Sequence, residues 1–114
     1  MIYTSYFAKY KGDKGVSIAR FTPKWFKGYT YIDLAPSIGL LEWWKHSKQT
    51  AQDIETYKIW YNTRVLCMLN PHKVASELDG KVLLCYEGPL AFCHRHLVAE
   101  WLRDNGYECE ELEC

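Results

Sequence analysis

The pattern of apolar and polar residues at the start of the chain predicts strands and loops. Residues 2–7 and 16–21 are rich in β-branched and aromatic types, which favours two strands, and the second strand must end before Pro23. Residues 25–34 show no clear period. We therefore expect a loop there, with one short strand near residues 29–33.

Three helices are predicted before the next strand. Each begins at a residue whose side chain accepts a hydrogen bond from an unpaired amide of the first turn. These N-cap residues are Ser37, Thr50 and Asn70. The apolar spacing predicts that the first helix ends near His46 and that the second, the longest, runs to Met68. The third begins with Pro71 and ends before Gly80.

The last third of the chain has the pattern of a strand, a loop and a helix. Residues 81–85 form a short apolar run, typical of a parallel strand that is buried on both faces. We expect a loop over residues 86–91, a helix over residues 92–105 that stops at Gly106, and an edge strand over residues 107–112. The predicted fold class is therefore α/β: a small three-layer Rossmann-like sandwich with a mostly parallel sheet of four or five strands.

The composition limits the number of domains and the kinds of partner that the protein can attract. A chain of 114 residues is long enough for one core, and we expect a single domain over residues 1–114. The formal net charge is zero, so no global field draws the protein to nucleic acid or to an anionic membrane, and any anion site must be local. Aromatic residues make up 16% of the chain, and most of them are expected to fill the core.

The cysteines and the N-terminal residues predict the cellular compartment. The cysteine count is five, which is odd and too low for a disulfide scaffold, so we expect reduced thiols. The first residues lack a cationic leader before an apolar run, and no apolar run reaches the roughly 18 residues of a membrane span. These observations predict a cytoplasmic protein.

The candidate chemistry lies between residues 83 and 101. The amides at the start of the predicted helix carry about half a positive charge, which favours an anion or a thiolate. Cys93, beside Arg95, is therefore a candidate nucleophile, and Glu87 is the only carboxylate of the loop and a candidate acid or base. Each also has a plain interpretation, because buried cysteines often act as small hydrophobes and loop carboxylates are usually solvated.

The two histidines of this helix, His94 and His96, point in different directions. At 100° per residue, His94 falls at the centre of the apolar arc of the helix, whereas His96 points toward solvent. A histidine in this position is either a core residue bonded to a carbonyl group or a catalytic base. A zinc site involving Cys85 is an alternative, but Cys93 and His94 diverge in a helix and bind one ion together only if the helix begins later. We expect no metal ion and no resident cofactor.

The segment LLCYEGPLAFCHRHLVAEWL resembles the hallmark of the domain of unknown function 488 family, a strand ending in Cys-x-Glu followed by Cys-His-Arg. The segments IYTSYF, SIARFTP and LAPSIGLLEWWK also resemble that family. The chain has Ser17-Ile18-Ala19-Arg20 where the family usually has Asp-x-Arg. The resemblance implies a small α/β sandwich in which Arg20, the end of the first strand and the Cys-His-Arg turn meet at one cleft. It implies no established activity.

The leading hypothesis is an enzyme that acts on a nucleotide or a nucleic-acid end, with phosphate as the recognised group. The candidate ligand-binding residues are Ser5, Tyr6, Arg20 and Arg95, and the candidate catalytic residues are Glu87, Cys93 and His94. The alternative is a non-catalytic ligand-binding or protein-interaction module that uses the same cleft, with aromatic residues near Trp25 and Trp43 in contact with the partner. A third interpretation is that the motif is purely structural.

Overall fold

The computed structural model of the protein describes residues 1–87 and 92–112. The strands in this part of the chain are β1 (Ile2–Tyr6), β2 (Gly15–Ser17), β3 (Tyr29–Thr30), β4 (Val82–Cys85) and β5 (Cys109–Glu111). The helices are α1 (Ile38–His46), α2 (Ala51–Arg64), α3 (Pro71–Leu78) and α4 (His94–Asp104), with 3₁₀ turns at Ile32–Leu34 and Leu66–Met68. Most of the loop predicted after β4 lies outside the described residues.

The five strands form one sheet in the order β3-β2-β4-β1-β5, and every pair of neighbours is parallel. Strand β4 lies at the centre, and all four of its residues are buried, as its continuous apolar run predicts. Strand β5 lies at an edge, where its acidic residues suit contact with solvent. The predicted α/β, Rossmann-like fold class is confirmed.

The helix starts follow from their caps. The Ser37 hydroxyl accepts the amide of Leu40 at 3.1 Å. Thr50 and Asp53 form a reciprocal capping box, and Asn70 accepts amides of the first turn of α3 ahead of Pro71. All three predicted N-caps are confirmed.

The strands are shorter than predicted, with β5 confined to Cys109–Glu111, and three further boundary changes affect the core or the site. Strand β2 ends at Ser17 instead of Phe21, because the Ser17 hydroxyl accepts the amide of Ala19 and takes it out of the ladder. Helix α2 ends at Arg64, and the following 3₁₀ turn leaves Met68 78% exposed, outside the core. Helix α4 begins at His94, two residues later than predicted.

The two faces of the sheet are covered differently. Side chains from all four helices join one buried cluster with Ile2, Val16 and Leu83 of the sheet. On the opposite face, Val82 and Leu84 belong to a smaller cluster, which loop residues such as Tyr10 and Phe26 cover. Loop aromatic residues thus form the third layer. Among the described helices, none has the length and apolar character that crossing a bilayer requires.

Candidate functional site

A cavity of about 320 Å³ lies beyond the carboxyl ends of β2 and β4. Its walls are the segment after β2, helices α1 and α2, and the start of α4. The side chains that matter for chemistry here are Arg20, Lys45, Cys85, Glu87, Cys93 and His94. Trp44, Tyr57 and Phe92 give it an aromatic wall. The place is the one expected for a ligand site in an open parallel α/β sheet.

Cys85 and Cys93 meet at the inner side of this cavity. Cys85 is the last residue of β4, and Cys93 is the N-cap of α4 with extended backbone angles of −147° and 147°. Both side chains are buried, and their Sγ atoms are in bonding contact while their Cα atoms are 7.3 Å apart. The two cysteines thus form a disulfide bond, and the prediction of reduced thiols is wrong for this pair, whereas Cys67 and Cys109 are free thiols.

His94 is held in one orientation against the sulfur atoms. Its Nε2 lies 2.7 Å from the carbonyl oxygen of Ile18, so this nitrogen must donate, while Nδ1 faces Cys93 Sγ at 3.7 Å. Burial lowers the pKa of His94 to about 4, outweighing the hydrogen bond to Ile18, and the charge of Arg95 lowers it further. The ring is therefore neutral at pH 7, with its lone pair on Nδ1.

Arg95 lies behind the cavity, where none of its surface is exposed. Its Nε and Nη2 donate to the two carboxylate oxygens of Glu111 at 3.0 and 2.8 Å. Its Nη1 donates to Cys85 Sγ at 3.0 Å and to the carbonyl oxygen of Glu87 at 2.6 Å. This arrangement differs from the expected phosphate clamp, because each of the three guanidinium nitrogens already donates to a protein group.

Arg20 and Glu87 both line the cavity, as the resemblance and the sequence pattern led us to expect. The Arg20 Nε donates to the carbonyl oxygen of Pro36 at 3.0 Å, which fixes the guanidinium at the cavity wall. Burial, and after it the charge of Glu87, raises the pKa of Tyr57 on the aromatic wall. The Glu87 side chain is exposed and lines the cavity on its solvent side.

The end of β1 does not contribute to the cavity wall. The Tyr6 ring lies under the guanidinium of Arg95, 5.6 Å from its Cζ. Ser5 is buried, and its hydroxyl has no hydrogen-bond partner among residues 1–87 and 92–112. The structure therefore does not bring these two predicted ligand-binding residues together with Arg20.

Sequence reasoning missed two sets of residues. Lys45, Trp44 and Tyr57 reach the cavity from α1 and α2, which hold none of the predicted site residues, and the packing of α1 against α2 brings them there. Glu111 lies in the predicted edge strand, and nothing in the sequence pattern indicated that it pairs with Arg95, 16 positions away. Trp43, expected at a partner contact, packs between Trp44 and Trp60.

The fold and the cavity define a Rossmann-like α/β protein with a small polar and aromatic site at the strand ends. A family model described as the active DUF488-N3 subclade (DUF488-N3a) matches residues 14–106, which is most of the chain. The chain therefore belongs to this family of domain of unknown function 488 proteins, as the resemblance implied. Neither the curated proteins nor the solved structures contain a match to the chain.

Proposed function

We propose that the cavity binds a small phosphorylated ligand with a planar ring, of the nucleotide class, and that the protein acts on it as an enzyme. The observation that carries this proposal is the composition of one cavity. Arg20 and Lys45 supply positive charge, and Trp44, Tyr57 and Phe92 supply an aromatic wall. Reactive groups come from Glu87 and His94, and from Cys93 once its bond to Cys85 is reduced.

The size of the cavity supports a single small ligand. Its volume of about 320 Å³ is at the lower end of the range of small-molecule sites, roughly 300–1,000 Å³. A mononucleotide or one flipped nucleotide suits this volume, whereas a duplex does not. A planar base is expected to stack on the aromatic wall. Stacking does not distinguish one base from another, because every base has an aromatic face.

The charges favour an anionic group near Arg20. Among the described residues, only the Nε of its guanidinium has a protein partner, so the Nη groups remain available for a bidentate contact with phosphate oxygens. Lys45 adds a second positive charge, and Glu87 opposes them with one negative charge. We assign to Arg95 a positioning role, because it holds Cys85 and the backbone of Glu87 from behind.

The test is ligand-induced thermal stabilisation followed by calorimetry with nucleoside monophosphates and the corresponding nucleosides. We expect monophosphates to stabilise the protein, Arg20→Ala to weaken binding by tenfold or more, about 1.4 kcal/mol, and Arg20→Lys to weaken it less. Lys24→Ala is the matched control, since Lys24 is an exposed cation of the same segment that does not line the cavity. Equal affinities for Arg20→Ala and Lys24→Ala would contradict the proposal, as would a failure of every monophosphate to stabilise the parent protein.

A non-catalytic binding module is the second candidate, favoured by exposed aromatic side chains near the cavity. Phe21 and Tyr86 line it and are 56% and 52% exposed, and Trp25 packs beside Phe7 while remaining 59% exposed. Glu87→Gln separates the two candidates once a ligand is found. An enzyme loses turnover with little change in affinity, whereas a module shows no turnover in the parent protein.

A further inference from the structure

We infer that Cys85, Cys93 and His94 form a binding site for one Zn²⁺ ion. Their ligand atoms, two Sγ and one ring nitrogen, lie within 4.8 Å of one another, and all three side chains are buried. This inference goes beyond the proposed phosphorylated ligand and does not depend on it. It replaces the sequence-based expectation of a site without metal.

The 3.7 Å between the Cys93 Sγ and the His94 Nδ1 suits a tetrahedral ion, whereas the two sulfurs are bonded to each other and must separate before both can bind it. Zinc bonds to thiolate sulfur at about 2.3 Å and to imidazole nitrogen at about 2.0–2.1 Å, so neighbouring ligand atoms lie within about 4 Å of each other. The Cα atoms of Cys85 and Cys93 are 7.3 Å apart, beyond the usual disulfide range of about 4.4–6.8 Å. Once the Cys85–Cys93 bond is reduced, this Cα separation leaves room for the two sulfurs to move apart and lie around a common ion.

The start of α4 removes the geometric objection to this site. Within a helix, adjacent side chains diverge by about 100°, which would turn Cys93 and His94 away from each other. Cys93 is instead the extended N-cap residue, and the first helical residue is His94. The Cys93 Sγ and the His94 Nδ1 consequently face each other at 3.7 Å.

The surroundings of the three residues are those of a metal site. The His94 Nε2 donates to the Ile18 carbonyl, which fixes the tautomer and leaves Nδ1 as the free lone pair, an arrangement typical of histidine ligands. The Arg95 guanidinium donates to Cys85 Sγ at 3.0 Å and stabilises a thiolate there. A thiol reductant first cleaves the Cys85–Cys93 bond by thiol–disulfide exchange and is itself oxidised to a disulfide; the two thiolates then balance the charge of Zn²⁺, and binding releases the two thiol protons.

Three protein ligands leave a fourth position, which opens on the cavity because all three residues line it. Zinc with three protein ligands typically holds water or substrate in that position and activates it. Glu87 lines the same cavity and is the carboxylate placed to exchange a proton there. The zinc site therefore connects the candidate catalytic residues: Cys93 and His94 hold the ion, and Glu87 exchanges a proton beside it.

The experiment titrates Co²⁺, as a spectroscopic substitute for Zn²⁺, into full-length protein purified without metal under reducing conditions. We expect one equivalent to produce a thiolate-to-cobalt charge-transfer band, and Zn²⁺ to displace it. Cys93→Ser and His94→Gln should lower affinity by at least about 100-fold, since even second-shell changes cost 10–100-fold. Cys67→Ser and His96→Gln are the matched controls, because neither residue belongs to the cluster.

A second measurement on the unmodified protein covers the case in which a variant fails to fold. Alkylation with and without Zn²⁺, read by peptide mass spectrometry, should show protection of Cys85 and Cys93 while the exposed Cys67 reacts in both samples. The inference is overturned if no charge-transfer band forms, if Zn²⁺ leaves both cavity cysteines equally reactive, or if Cys67→Ser loses as much affinity as Cys93→Ser.

Discussion

The ion pair between Arg95 and Glu111 should be a major determinant of both stability and site geometry. The guanidinium has no exposed surface, and Glu111 receives two hydrogen bonds from it and a third from the Thr4 hydroxyl at 2.6 Å. Replacing Glu111 by Ala leaves a buried cation without its counter-ion. That kind of change typically costs about 3–5 kcal/mol.

The magnitude should fall at the lower end of this range, because the Glu111 side chain is 27% exposed and water can reach the emptied space. We expect Glu111→Ala to lower the free energy of unfolding by about 3 kcal/mol. For a chain of this length, about 4 °C of melting temperature corresponds to 1 kcal/mol, so the expected shift is about 12 °C.

The assay is urea unfolding and differential scanning calorimetry of Glu111→Ala and Glu110→Ala. Glu110 is the matched control, since it is an exposed neighbour in the same strand and loses the same side chain. Its loss should cost no more than about 0.5 kcal/mol. The double variant Arg95→Met/Glu111→Leu should recover most of the lost stability, because it removes both charges. Similar costs for Glu111→Ala and Glu110→Ala would refute the reasoning.

Three further predictions concern other features of the fold. Burial acts to raise the pKa of Glu111, but hydrogen bonds from Arg95 and Thr4 and the charge of Arg95 lower it overall, below its ordinary value of 4.5. The difference in unfolding free energy between the parent and Glu111→Ala should thus be fully present above pH 4.5 and shrink as the pH falls through the lowered pKa that Glu111 has in the folded protein. A difference that stays constant over this pH range would argue against the ion pair. Tyr61→Phe should cost about 1–2 kcal/mol in urea unfolding, because the buried Tyr61 hydroxyl donates to the Leu34 carbonyl at 2.5 Å, whereas the exposed Tyr29→Phe should cost almost nothing. Gly106→Ala should destabilise the protein by about 1–2 kcal/mol, because the backbone φ of Gly106 is +92°. Gly39→Ala should stabilise it by about 0.5–1 kcal/mol, because Gly39 lies within α1 with open space around it. Melting temperatures of the two variants that move in the same direction would contradict this contrast.

The sequence by itself predicted the elements whose causes are local. Ser37, Thr50 and Asn70 cap their helices because each accepts amides two or three residues ahead, a contact written into the chain spacing. The apolar run at residues 82–85 likewise indicated the buried central strand, because burial on both faces removes the apolar-polar alternation of a strand with one exposed face. The family and the general place of the site followed from these segments and the Cys-x-Glu and Cys-His-Arg motif.

Only the tertiary structure decided what the motif residues do. Arg95 faces Glu111 because α4 packs over β1 and β5, so a residue predicted to bind phosphate supports the site from behind. The start of α4 at His94 turns the Cys93 sulfur toward Cys85, a change of two residues that periodicity does not resolve. Residue spacing defines contacts along one helix or strand, whereas the partners of a buried charge or thiol are set by how separate elements pack.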